Sequence, residues 1–211
     1  MTFLEALSRY RDELAWATLE HLALVGAAVL IASAIGIPLG VASVRRPPLR
    51  RWVLGITNAV QTIPSLALFG LLIPLAYVGG VGTRPAVVAM TLYALLPIVR
   101  NSYVGVSEVD PAVRESAVAM GMTDRQILLM VELPLASRTI LAGLRVAAVT
   151  AVGVATIAAL IGAGGLGRLI YTGLQTVNTP LVLLGAVPAA LLALGADLLL
   201  GLVEKKLSPT T

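Results

Sequence analysis

Long apolar blocks separated by short polar stretches dominate the chain. A bilayer's hydrocarbon core of about 30 Å takes about 20 apolar residues of helix to cross. Five blocks meet that length: Leu22 to Val44, Trp52 to Tyr77, Pro85 to Arg100, Thr139 to Ile161 and Leu181 to Val203. The third is the shortest and extends at most to Tyr103, and the fourth leaves room for a sixth, re-entrant piece before Gly164. The pattern predicts an all-α, polytopic membrane helix bundle of about five spans, with residues 1–211 forming one domain because no internal repeat or low-complexity linker divides them.

Composition narrows the class. With 58% hydrophobic and 12% charged residues among 211, the chain is too apolar for a water-soluble domain. Cysteine is absent and His21 is the single histidine, which excludes disulfides, thiolate metal sites and multi-histidine metal centres. The net charge of +4 does not indicate nucleic acid, because the basic residues sit at the ends of apolar blocks and are not interleaved with aromatics. Their distribution sets topology instead. With the amino terminus outside, Arg45, Arg46, Arg50, Arg51, Arg100, Arg114, Arg125, Arg138, Arg145, Lys205 and Lys206 fall inside, against Arg9, Arg11, Arg84 and Arg168 outside. No cleavable leader is expected, since charged residues are scattered through the first twenty and arginines follow the first block.

The stretch from about 110 to 135 breaks the apolar pattern on the cytoplasmic side. Asp110 and Pro111 are a helix start, a side-chain acceptor followed by a residue with no N–H to leave unpaired. Val113, Ala117 and Met120 recur at helical spacing beside Arg114 and Glu115, and Gly121 is suited to the left-handed conformation that ends a helix. Thr123 and Gln126 have the spacing of a capping box, and Pro134 is expected to limit the second helix. Two short helices joined at a glycine are predicted, either an interfacial connector or a docking element.

The order Glu115, Ser116, Ala117, then Gly121, then Val131, Leu133 and Pro134 resembles the EAA motif of ATP-binding-cassette importer permeases, with Ser116 in place of the first Ala and Val131 in place of Ile. The strings QTIPSLAL (61–68), VELPLASRTILAGLRVAAV (131–149) and TIAALIGAGGLG (156–167) resemble the osmoprotectant group of that family, whose cargoes are glycine betaine, choline, carnitine and related quaternary amines. The resemblance covers most of the chain from about Gly36. It implies a type I importer (MetI-like) permease fold in a bacterial or archaeal plasma membrane. It also implies two cytoplasmic ATPase subunits that bind ATP-Mg, a second permease chain, identical or similar, and an extracytoplasmic solute-binding protein. By the same resemblance, Arg114, Glu115, Ser116, Ala117, Gly121, Leu133 and Pro134 belong to the segment that couples to the ATPase. Methionine, sulfonate and ergothioneine importers are alternatives within the class, and a gradient-driven channel or secondary transporter is the alternative outside it.

Other features remain open at this level. Gln61, Thr62, Pro64 and Ser65 lie inside a span, where a proline frees a carbonyl; they form either a packed kink or a break lining the solute path. Gly162, Gly164 and Gly167 match the spacing of a dinucleotide loop but follow a membrane span and lack the required carboxylate, so with Gly165 they are expected to form a tight outer turn. Asp197 and Arg145 are ionisable groups within spans, either snorkelling, paired between helices, or, for Asp197, attracting a cation. Glu20 and His21 are expected at the outer interface, and Gly36 with Gly40, and Gly143 with Ala147, are expected to mark close helix packing. No Walker A sequence and no believable catalytic constellation occurs, so the chain is expected to hold no cofactor and to rely on a separate ATPase.

Overall fold

The computed structural model describes residues 3–75 and 77–206, and all the regular structure among them is helical. Helices α1 (Phe3–Arg9) and α2 (Arg11–Val44) lead to a bent pair, α3 (Pro47–Thr62) and α4 (Ser65–Leu72). Then come α5 (Thr83–Ser107), α6 (Pro111–Ala119), the single turn α7 (Asp124–Ile127), α8 (Leu133–Ala158), the short α9 (Gly167–Gln175) and α10 (Thr179–Lys206). Four helices are long and apolar enough to cross a membrane, and a fifth span arises if the α3–α4 pair counts as one. Helix α2 starts well before the apolar block at Leu22, because helix continues through the polar residues from Arg11 to Glu20.

The core is a trio of α2, α5 and α8. Neighbouring positions give the directions: Gly36 lies against Ile98 and Gly40 against Ser102, so α2 and α5 run parallel. Gly105 meets Ala136 and Thr139, and Gly143 meets Pro97 and Asn101, so α8 runs antiparallel to α5. Close approach explains the glycines. A Cβ on Gly40 would sit 2.6 Å from the Val99 carbonyl oxygen, and one on Gly143 would sit 2.5 Å from Asn101 Cβ. In lipid, helix association depends on such packing, since the bilayer itself is as apolar as leucine. Leu24, Phe69, Met90, Tyr93 and Val152 are among the residues that fill the trio's largest buried cluster.

Two expected features take a different form. The apolar block from Trp52 to Tyr77 is not one straight helix, because α3 and α4 meet at a bend of 102°. Ile63 is extended (φ −75°, ψ 126°), as a residue before proline must be, and α4 restarts after Pro64. Conversely, Pro134 does not limit the helix that Thr123 opens. A π turn at Leu128–Glu132, in which Leu133 N–H donates to the Leu128 carbonyl, joins α7 to α8, so helix runs from Asp124 to Ile161. The wider turn removes the carbonyl that a proline ring would strike in a regular α-helix.

Replacing Gly40 with leucine is expected to force α2 and α5 apart. Thermal unfolding of the purified chain in detergent should reveal a loss of about 1–3 kcal/mol, the usual cost of overpacking, whereas Gly153→Leu, at a position with open space around it, should leave the midpoint close to wild type.

Candidate functional site

Helix α6 begins as its residues require: Asp110 Oδ1 accepts from the Ala112 N–H at 2.8 Å and Pro111 occupies the first turn. It ends in a Schellman turn. Gly121, at φ +80°, donates its N–H to the Val118 carbonyl, and Met122 donates to Ala117. Thr123 then opens α7 with a complete capping box: its N–H donates to Gln126 Oε1 at 2.8 Å, and its hydroxyl oxygen accepts from the Gln126 N–H. Ala117 is buried, whereas Val113, Glu115, Ser116, Val118 and Met120 are exposed, Met120 to 74%. One side of α6 is thus seated and the rest is open, partly apolar surface with a single free carboxylate at Glu115.

Arg114 does not project with Glu115. Its Nε donates to Glu132 Oε1 and its Nη2 to Asp124 Oδ1, each at 3.2 Å. Glu132 stands at the end of the π turn, is 5% exposed, and also accepts from Arg45 Nη2 at 3.0 Å. Arg45 is the C-cap residue of α2. One buried carboxylate therefore ties α6, α8 and α2 together, and the joint was invisible to a reading of the EAA spacing alone. The available signal was a lone carboxylate in LLMVELPL, a string otherwise apolar, which deserved the same question as Asp197. Leu133 and Pro134, assigned with the coupling residues, form the first turn of α8 next to this carboxylate.

The bend at Pro64 and the proline inside α5 satisfy each other. Pro97 cannot donate to the Tyr93 carbonyl four residues earlier, and Gln61 Nε2 supplies that bond at 3.0 Å. In return the Tyr93 hydroxyl donates to the Ile63 carbonyl, which sits at the break. Gln61 also lines a groove of about 500 Å³ with Tyr93, Leu96, Pro97, Arg100, Asn101, Val146 and Thr150. Thr62, whose hydroxyl returns to the Ala59 carbonyl, shapes the break with Pro64 and Ser65 but does not line that groove. A second groove of about 500 Å³ shares Leu96 and Arg100 with it and adds Leu54, Gly55, Asn58 and Tyr103.

At the opposite end, Gly162, Gly164 and Gly165 all have positive φ, and Gly167 begins α9, so these residues do make a tight turn after α8. Glu20 holds it: Oε2 accepts from the Gly165 N–H at 2.9 Å while Oε1 accepts from the Trp16 indole. His21, expected at the interface, is fully buried, with Gly165 backed against its ring. Arg145 and Asp197 form an interhelical pair, two hydrogen bonds including one of 2.8 Å, and Arg138 reaches Glu204 at 3.5 Å nearer the C-terminal end of α10. Sequence reasoning named both members of the first pair without joining them.

Removing the carboxylate at the three-way joint should be measurable. Glu132→Gln is expected to cost about 1–3 kcal/mol, as for the loss of charge-assisted hydrogen bonds, with faster amide hydrogen exchange in α6 and α7 and none in mid-α5. In a double-mutant cycle with Arg114→Gln the two changes should be non-additive by about 1 kcal/mol.

Residues 32–209 match the family described as the binding-protein-dependent transport system inner membrane component. The chain is 47% identical over 182 residues to the glycine betaine/carnitine/choline transport system permease protein OpuCD of Bacillus subtilis, covering 86% of this chain and 78% of that protein. It is 46% identical over 190 residues to the carnitine transport permease protein OpuCD of Listeria monocytogenes (90% and 84% covered). It is 46% identical over 198 residues to the osmoprotectant import permease protein OsmW of Salmonella typhimurium (93% and 92%). Among solved structures, an inward-facing MetNI methionine ABC transporter superposes with a TM-score of 0.85 at 26% identity, over 99% of this chain and 100% of that one. With its all-helical fold, broken span and matching residues, the chain belongs to the family of binding-protein-dependent transport system inner membrane components, the permeases of ABC importers.

Proposed function

We propose that this chain is the permease subunit that carries a quaternary-ammonium osmoprotectant, of the glycine betaine, carnitine and choline class, across a bacterial or archaeal plasma membrane. The observation that carries the cargo assignment is the 41–47% identity to permeases named for these solutes, against 26% for the methionine transporter whose fold it shares. Two copies, or this chain and a similar one, enclose the solute path. The groove along α3, α5 and α8 supports this arrangement: polar groups and an arginine cannot face lipid without cost, so a second chain or water must cover them.

Two cytoplasmic ATPase subunits bind ATP-Mg and receive helix α6, whose exposed Val113, Glu115, Val118 and Met120 form the docking surface. An external binding protein delivers solute at the end of the bundle formed by the glycine turn at 162–167. The amino terminus is outside and the carboxyl terminus inside, since Arg45, Arg46, Arg50 and Arg51 gather at the end of α2 that adjoins α6. Closure of the ATPase dimer moves α6, and the Glu132 joint passes that motion to α2 and α8 without slack.

Gly121→Trp and Glu115→Lys are expected to abolish solute uptake by the reconstituted transporter while membrane insertion remains normal. A Cβ at Gly121 would meet no neighbour, so the loss arises from the left-handed backbone position, which costs an L-residue about 1–2 kcal/mol, and from bulk placed in the docking face. Co-purification of the ATPase should fall in both variants. Uptake at the wild-type rate would contradict the docking role of α6.

A further inference from the structure

We infer that Arg100 is a specificity-determining residue that holds the carboxylate of zwitterionic solutes as they pass along the α3–α5–α8 groove. The inference rests on the cargo class proposed above.

Arg100 is the interior arginine of α5, whereas Arg84 stands in the first turn of that helix. Arg138 and Arg145, in α8, have carboxylate partners on α10, whereas Arg100 has no hydrogen bond or ion pair within the described residues and is exposed. It lies seven residues before the end of α5 at Ser107, about 10 Å into the helix at 1.5 Å per residue. That is one turn deeper than Tyr103, whose hydroxyl accepts from Arg50 of the inner arginine cluster. A guanidinium with no carboxylate partner, exposed in a groove near the end of a membrane helix, is available to an anionic group that enters the groove.

The surroundings define what it would hold. No Asp or Glu lines either of the two grooves that share Arg100. In the groove along α3, α5 and α8 the two amide side chains are engaged, Gln61 with the Tyr93 carbonyl and Asn101 with the Pro97 carbonyl. Arg100 is the one charged residue lining a groove whose other walls include Leu96, Pro97, Val146 and Thr150. A guanidinium matches a carboxylate with two parallel hydrogen bonds. Glycine betaine and carnitine carry such a carboxylate beside their quaternary nitrogen, and choline carries none. The apolar groove walls suit the methylated ammonium end, which offers no N–H to satisfy.

The test is uptake of labelled glycine betaine, carnitine and choline by the complete transporter in proteoliposomes, for wild type, Arg100→Gln and Arg100→Lys, with ATPase activity measured in parallel. Arg100→Gln should lower betaine and carnitine uptake about tenfold while choline uptake stays near wild type and the ATPase subunits remain bound. Arg100→Lys should recover part of the betaine uptake, which keeps the test decisive even when choline is a poor cargo. Unchanged betaine uptake, equal loss for all three solutes, Gln and Lys variants alike, or loss of assembly, which would make Arg100 a packing residue or a lipid-phosphate anchor, overturns the assignment. Wild-type transport of none of the three overturns the cargo class and this inference with it.

Discussion

The buried carboxylate of Glu132 holds together the end of the bundle where α2, α6 and α8 meet. It accepts hydrogen bonds from Arg45 at the end of α2 and from Arg114 on α6, and it sits at the last residue of the π turn that feeds α8. A carboxylate at 5% exposure is tolerable only when paired on both oxygens, and here each oxygen has an arginine. Because both arginines are about two-fifths exposed, the pairing does not require a fully desolvated cluster. A short surface helix that would otherwise hang from two flexible corners becomes part of one rigid body with two of the three core helices.

The same economy recurs within the bilayer. Prolines interrupt α5 and separate α3 from α4, and each leaves a carbonyl that lipid cannot satisfy. Gln61 and Tyr93 exchange hydrogen bonds across the gap and close both accounts. At the end of the bundle opposite Glu132, Glu20 serves the glycine turn, and along α10 Asp197 and Glu204 take the arginines of α8. Separately, glycines let α2 pack closely on α5 and α5 on α8.

Much of this was legible in the amino-acid pattern. The apolar blocks, the basic clusters and the caps at Asp110, Gly121 and Thr123 depend on local chemistry, and the structure shows these helices and caps with the same residues in the same local roles. Spacing around Glu115 and Gly121 carried the family, to which the chain belongs. What could not be read was tertiary. Pro134 looks like a helix stop until the π turn ahead of it is seen, and the bonds of Arg114 to Glu132 and Asp124 are not announced by the spacing around Glu115. Gln61 looked like one of four residues of a single break, with Thr62, Pro64 and Ser65, yet it alone of the four lines the groove, because its amide is drawn to the carbonyl that Pro97 leaves open. In each case the partner lies far along the chain, and no local pattern reports it.

The account turns on whether the Glu132 joint transmits force. The direct measurement is the ratio of solute molecules taken up to ATP hydrolysed, in proteoliposomes containing the complete transporter with Glu132→Gln. A rigid joint predicts that ATP hydrolysis persists near the wild-type rate while uptake collapses, because the ATPase still closes on α6 but no longer carries α2 and α8 with it. An unchanged ratio, with uptake and hydrolysis falling together or not at all, would contradict that role and leave Glu132 as a packing residue of the cytoplasmic surface.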